Sequence, residues 1–229
     1  MLSYFNQTDV LKKHLETWSQ YHDDIKQQIT FQIIDDCSLK SSAFPVIKEH
    51  YDKSFDLSLY QVHDDLICNI SGVRNLGATV ADTEWILILD MDTIISPLLA
   101  QQIIDIINKT QPSQKIVHKF NRKMPGTNQI RPPPGICFLR KDLYWEIGGC
   151  DEDLVGSYGY TDPLFWHRCS EKRIPVKINK DLWVTYLHEG ESDIKRNNSR
   201  NLQIFNQKKR TKKYSTDFVR FKWSKINLE

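Results

Sequence analysis

The run Trp85-Ile86-Leu87-Ile88-Leu89, closed abruptly by Asp90-Met91-Asp92, decides the fold. Five uninterrupted apolar residues flanked by polar ones are too short for a buried helix and suit a strand covered on both faces, the kind found in parallel sheets. Elements read outward from this strand alternate between the two periods. Downstream, Ser96-Pro97 places an N-cap and a proline at the first helical position, opening a helix through about Lys109. Upstream, Ser71 can cap a helix over 72–81, Asp56 to Val62 reads as a strand, and the β-branched run Ile29 to Ile34 stops at Asp35-Asp36-Cys37-Ser38. Thr8 to Gln28, with Val10, Leu11, Leu15, Trp18, Tyr21 and Ile25 near helical spacing, reads as one amphipathic helix behind a short N-terminal strand.

Strands alternating with helices predict an α/β fold, Rossmann-like, with a mostly parallel central sheet flanked by helices. The second half is less regular. It offers strands near Ile116 to Lys119, Ile136 to Arg140 and Leu182 to Leu187, helices at Asp142 to Ile147 and Asp162 to Lys172, and a stop at Gly148-Gly149. The expected organisation is one domain over 1–194, with halves at about 1–110 and 111–194, followed by a basic helical tail over 195–229. That tail carries 11 Lys and Arg against 2 acidic residues, within a chain of 229 residues whose net charge is only +2. Such a segment attracts anionic lipid, nucleic acid or phosphorylated ligands, or is simply a solvated helix.

Composition removes several classes. With 40% hydrophobic and 26% charged residues the chain is neither disordered nor fibrous. Its apolar runs fall far short of the roughly 20 residues of a membrane span. No basic, then apolar, then small-residue pattern opens the sequence, so a cytoplasmic protein is expected. Five scattered cysteines without a CxxC pair suggest buried thiols rather than disulfides or a zinc cluster.

Both acidic clusters fall at the carboxyl ends of strands, where open α/β sheets bind ligands. Asp90 and Asp92, two residues apart, offer hard oxygen ligands for Mg²⁺ or Mn²⁺ and through it a diphosphate, or else Asp92 caps a polar turn. Arg74, in Gly72-Val73-Arg74-Asn75-Leu76-Gly77, can aim a planar cation at a phosphate or at the acidic cluster.

The order of these motifs, from Phe5-Asn6 through Asp35-Asp36-x-Ser38 and Arg74-Asn75-x-Gly77 to Asp90-x-Asp92, resembles the GT-A-fold glycosyltransferases. The likeness is to the family-2-like inverting enzymes and the neighbouring galactosyltransferase-like group, and it covers about Leu2 to His188. What it implies is specific. Ser3, Phe5 and Asp36 match positions that hold the nucleotide base, and Arg74 matches the Arg near the nucleotide. Asp92 matches a metal ligand, Asp90 a contact to ribose or a metal-bound water, and His188 a third ligand for Mn²⁺ or Mg²⁺. Gly148-Gly149-Cys150-Asp151-Glu152 resembles a Gly-Gly-Phe-Asp-Glu motif, which makes Asp151 and Glu152 candidate acceptor contacts. Gly159-Tyr160-Thr161-Asp162 resembles a Gly-x-Glu-Asp motif, which makes Asp162 the candidate base, with Asp151 next in line. Cys150 and Thr161 depart from the pattern, leaving Asp162 the one carboxylate of its pair.

The implied activity is metal-dependent inverting transfer from a nucleoside-diphosphate sugar, with a UDP-sugar as the expected donor, to a glycan, lipid or protein-linked acceptor. No specific nucleic acid is implied, and the basic tail adds peripheral contact with an anionic membrane. The alternatives are a nucleotidyltransferase, which the missing Gly-rich phosphate loop disfavours, and a non-catalytic nucleic-acid- or membrane-binding module.

Overall fold

A computed structural model of the chain describes residues 1–123, 129–187 and 196–228. The apolar run forms β4 (Trp85–Asp90) in the middle of an eight-stranded sheet. On one side it pairs in parallel with β1 (Leu2–Tyr4), followed by β2 (Phe31–Asp35) and β3 (Leu57–Val62), also parallel. On the other side lie β7 (Cys137–Arg140), antiparallel, then β6 (Val117–Asn121) and, parallel to β6, β8 (Val176–Trp183). A separate two-stranded ribbon joins β5 (Thr93–Ile94) to β9 (Thr185–Tyr186). The sheet is mixed α/β and mostly parallel, as the alternation of elements predicts.

Side-chain alternation divides the strands between two layers. Leu2, Ile33, Leu59 and Leu89 face a core built with α1 (Thr8–Ser19), α2 (Asp23–Lys26), α3 (Ala43–His50) and α5 (Pro97–Lys109). Ile34, Tyr60, Ile86 and Ile88 face the opposite layer, α4 (Ile70–Val80), α6 (Lys141–Ile147) and α7 (Thr161–Glu171). All five cysteines are buried and free. Among the described residues no helix is long and apolar enough to cross a membrane.

Two expectations and one omission need correction. The single helix over 8–28 breaks into α1 and α2, because the buried Tyr21 hydroxyl reaches across to donate to Ile95 O at 2.7 Å and His22 is extended. A helix the sequence reading left out, α3, tolerates Pro45 because the first turn has no intrahelical use for its amides; Ser42 caps it by accepting from Phe44 N. The tail is not a separate basic helix. After α8 (Ser199–Thr211) the chain returns to the sheet as β10 (Trp223–Ile226), antiparallel on the β3 edge with Trp223 opposite Val62. Alternate residues Trp223 and Lys225 stay exposed while Ser224 and Ile226 are half-buried, the pattern of an edge strand.

Gly148 ends α6 in the left-handed region at φ 102°, its N–H bonding Tyr144 O, and a Cβ there would collide with the Arg168 guanidinium. Gly148→Ala therefore carries both backbone strain and a clash. It should lower stability by about 2 kcal/mol or more in urea titration, and an unchanged midpoint would contradict this seating.

Candidate functional site

The parity of the strands assigns each acidic residue its face. In β4 the residues Ile86, Ile88 and Asp90 point toward α4, so the strand's last side chain meets Arg74 on that helix. Arg74, only 5% exposed, donates through Nη2 to Asp90 Oδ1 at 2.8 Å and through Nη1 to Asp162 Oδ1 at 2.5 Å. One guanidinium thus joins carboxylates from the end of β4 and the first turn of α7. Burial alone would depress the Arg74 pKa, yet Asp162 and Asp90 hold it well above the usual arginine value. Burial raises the Asp90 carboxyl above the ordinary range; Arg74 opposes that shift, while Asp162 and Asp92 add to it.

Gly135 closes this cluster. A Cβ there would collide with Arg74 Nη2 and lie 2.9 Å from Asp90 Oδ2 and 3.0 Å from Asp162 Oδ1. The preceding residue is fixed as well, since Trp166 Nε1 donates to Pro134 O at 2.8 Å, and Lys119 Nζ sits 3.4 Å from the same oxygen and 4.2 Å from the Trp166 ring centroid. The Pro-rich stretch is pinned at this end; residues 124–128 lie outside the described residues. The segment 156–159 is tied down too: the buried Asn201 Nδ2 donates to Ser157 O at 2.8 Å and Gly159 O at 2.9 Å.

At β2 the same parity separates two neighbours. Asp35 falls on the α3 side, accepting from Ser38 N and Ala43 N at 2.9 Å each, and so builds the loop. Asp36 falls on the α4 side and accepts from Asn69 N at 3.2 Å. Ser3 lies on β1 between Ile34 and Asp90, and Phe5 follows that strand half-buried. Ser3, Phe5, Asp36, Arg74, Asp90 and Asp162 thus collect at one end of the sheet. Asp92 is near them and half-buried, accepting from Thr93 Oγ1 at 3.0 Å through Oδ1. Its carbonyl accepts from Leu187 N at 2.8 Å, so the β5–β9 ribbon carries the chain to Asp92 one residue before His188, which lies outside the described residues. Among the described residues no three His, Cys, Asp or Glu side chains converge on a metal position.

Asp151 and Glu152 do not join the cluster. They are 2% and 3% exposed and are covered by the C-terminal segment: Asp151 pairs with Lys208 at 2.9 Å, and Glu152 accepts from Val219 N at 2.7 Å. Expected as acceptor contacts, and Asp151 as a reserve base, they are instead occupied by the tail, because its cations and amides compensate carboxylates that burial would otherwise leave unpaired. Gly135 and Lys119 escaped the sequence reading. One glycine behind three prolines is a weak signal, and a lysine inside a strand carries none.

The sequence matches no family model and no curated protein. Solved structures do resemble it. S. aureus TarS 1-349 in complex with UDP-GlcNAc superposes with a TM-score of 0.64 at 15% identity, over 84% of this chain and 58% of that one. The fold is GT-A-like. The same GT-A-like arrangement is shared with GalNAc-T7 bound to UDP, GalNAc and Mn²⁺, at a TM-score of 0.64 and 12% identity over 83% of this chain and 43% of that one. The catalytic domain of Drosophila β1,4-galactosyltransferase 7 in complex with xylobiose gives 0.56 and 14%, over 94% and 79%. The chain spans little more than half of the TarS structure. One apolar cavity of about 390 Å³, lined by Trp18, Phe31, Trp85, Ile103 and Phe138, opens toward the amino ends of β2 and β4. It is remote from the carboxyl-end cluster and shares none of its residues.

Burial raises the Asp36 carboxyl from 3.8 to about 6, against the opposing hydrogen bond from Asn69. The folded chain therefore holds this proton more tightly than the unfolded chain, so stability falls as pH rises from about 4 to 6, and the loss is complete above that. Asp36→Asn removes this term. The variant should exceed the parent by on the order of 2 kcal/mol at pH 7 and match it near pH 4 in urea titration; parallel pH profiles would contradict the buried placement.

Proposed function

We propose that the protein is a metal-dependent, inverting glycosyltransferase that moves a sugar from a UDP-sugar to a hydroxyl of a glycan, lipid- or protein-linked acceptor. The observation that carries this reading is the Arg74 bridge, which fixes Asp90 and Asp162 together at the carboxyl end of β4 with Asp36 on the same face of the sheet. The GT-A-like neighbours supply its chemistry, since their structures hold UDP-GlcNAc or UDP with Mn²⁺.

Each residue then has a task. Asp36, largely ionised above pH 6, accepts a hydrogen bond from the uracil imide, with Ser3 and Phe5 beside the base. Asp92 fits a hard divalent ion: it is a half-exposed carboxylate whose partner is a hydroxyl rather than a cation. Asp90 and His188, the latter by resemblance alone, complete the donor set. A bound ion there would supply Lewis acidity to the departing diphosphate. Asp162 takes the acceptor proton as the hydroxyl attacks in line from the opposite side of the sugar, and a single displacement with one base inverts the anomeric centre. Arg74 orients that base and is compensated by Asp90 when Asp162 is protonated. Peripheral contact with anionic lipid belongs to the same proposal, through the exposed Lys209, Arg210, Lys212 and Lys213.

A thermal-shift panel of UDP, GDP, dTDP and CMP sugars should show stabilisation by the UDP compounds and more of it with Mn²⁺. Asp92→Ala should abolish the Mn²⁺ increment. Asp162→Asn should keep donor binding while transfer falls by about two to four powers of ten. Mn²⁺-dependent binding retained in the first variant, or full activity in the second, would refute the respective assignment.

A further inference from the structure

The C-terminal segment crosses the outside of the layer that carries Arg74. From Lys212 to Phe221 it runs as a strap between α8 and β10, gripped by the acidic triplet Asp151-Glu152-Asp153. Ser215 N donates to Asp151 Oδ2 at 3.0 Å, and Lys208 Nζ reaches Asp151 Oδ2 at 2.9 Å and Asp153 Oδ2 at 2.7 Å. Val219 N and Arg220 N donate to the two Glu152 oxygens at 2.7 and 3.2 Å. The Val219 and Phe221 side chains pack on Val73 and Leu76 of α4, close enough that a Cβ at Gly72 would stand 2.5 Å from the Phe221 ring.

Glu152 has a second partner inside. Its Oε1 accepts from Asn75 Nδ2 at 2.8 Å. Asn75 is fully buried and adjacent to Arg74, and the rest of its amide is spent: Nδ2 donates to Cys150 O at 2.8 Å, and Oδ1 accepts from Tyr144 OH at 2.6 Å and Cys150 N at 2.9 Å. Glu152 is therefore a buried carboxylate with one oxygen shared between the strap and α4. Unseating the strap removes its amides and the Arg220 guanidinium 3.6 Å away and opens the carboxylate to water, with Asn75 as its remaining bonded side chain. A carboxylate opened to water turns toward it, which takes one acceptor from the fully buried Asn75 amide at the residue next to the Arg74 bridge.

We propose that Glu152 is a positioning residue that couples seating of the strap over 212–221 to the placement of Arg74, so that the bridge between Asp90 and Asp162 forms only when the strap is docked. The consequence for transfer rests on the glycosyltransferase reading; the coupling itself does not.

Hydrogen exchange on the full-length chain tests the coupling without any substrate. In Glu152→Ala, amides over 70–80 and over 212–221 should both exchange at least about tenfold faster than in the parent while β2 is unchanged, and Glu152→Gln, which keeps an oxygen for Asn75 and Val219, should recover most of that protection. Should Glu152→Ala fail to fold, Arg220→Ala loosens the strap from its exposed side and should accelerate both segments by about two- to fivefold. Faster exchange in the strap with α4 unchanged, in either variant, overturns the proposal. In transfer assays with Mn²⁺ and the UDP-sugar, Glu152→Ala should lower kcat about tenfold with donor KM within about threefold, and Glu152→Gln should restore it. A parent chain that transfers no sugar would refute the activity assigned above while the exchange result still decides the coupling.

Discussion

Two carboxylates far apart in sequence stand at one point in this protein because a buried guanidinium lies between them. Asp90 ends the central strand and Asp162 opens α7; without Arg74 their charges would repel in a region that burial already makes hostile to ions. Each arm of the guanidinium serves a different carboxylate, and its planar fork fixes the direction of both bonds. The two ion pairs, from one buried guanidinium to two partly exposed carboxylates, tie α4, β4 and α7 into one unit. Gly135 belongs to the same constraint, because the backbone can approach the three charged groups only where no Cβ intervenes.

The remaining structure supports that unit from two directions. From inside, alternation along β2 and β4 turns Asp36 and Asp90 toward α4 and leaves Asp35 to cap α3 on the other side. From outside, the C-terminal strap lays Val219 and Phe221 on α4 and lends its amides to Glu152. The +9 charge of the tail is thus partly internal: Lys208 is buried against Asp151, and Arg220 faces Glu152 and Asp153. What composition suggests is a solvated or ligand-seeking helix is in large part a structural clamp.

The sequence was most informative where chemistry and period coincide. The apolar run ending at Asp90, the proline after Ser96, and the glycines after Ile147 carry local signals that no tertiary contact has to supply, and the structure places β4, α5 and the end of α6 there. The meeting of Arg74 with Asp90 was foreseeable as a cation near an acidic cluster; its second bond to Asp162 depends on where α7 lands, which no spacing encodes. The use of Asp151 and Glu152 was hidden for the same reason, since only the path of residues 212–226 across them decides that they are occupied. The break at Tyr21 and the helix through Pro45 turn on a single long-range hydrogen bond and a position within the first turn, both below the resolution of periodicity.

The claim that this end of the sheet receives a nucleotide is tested most directly by a crystal structure of the protein grown with UDP and Mn²⁺. The account predicts the uracil beside Asp36, the ion on Asp92, and the diphosphate between that ion and the Arg74 cluster. A nucleotide found instead in the apolar cavity between α5 and the sheet, or elsewhere on the surface with the Asp92 carboxylate bare, would contradict it.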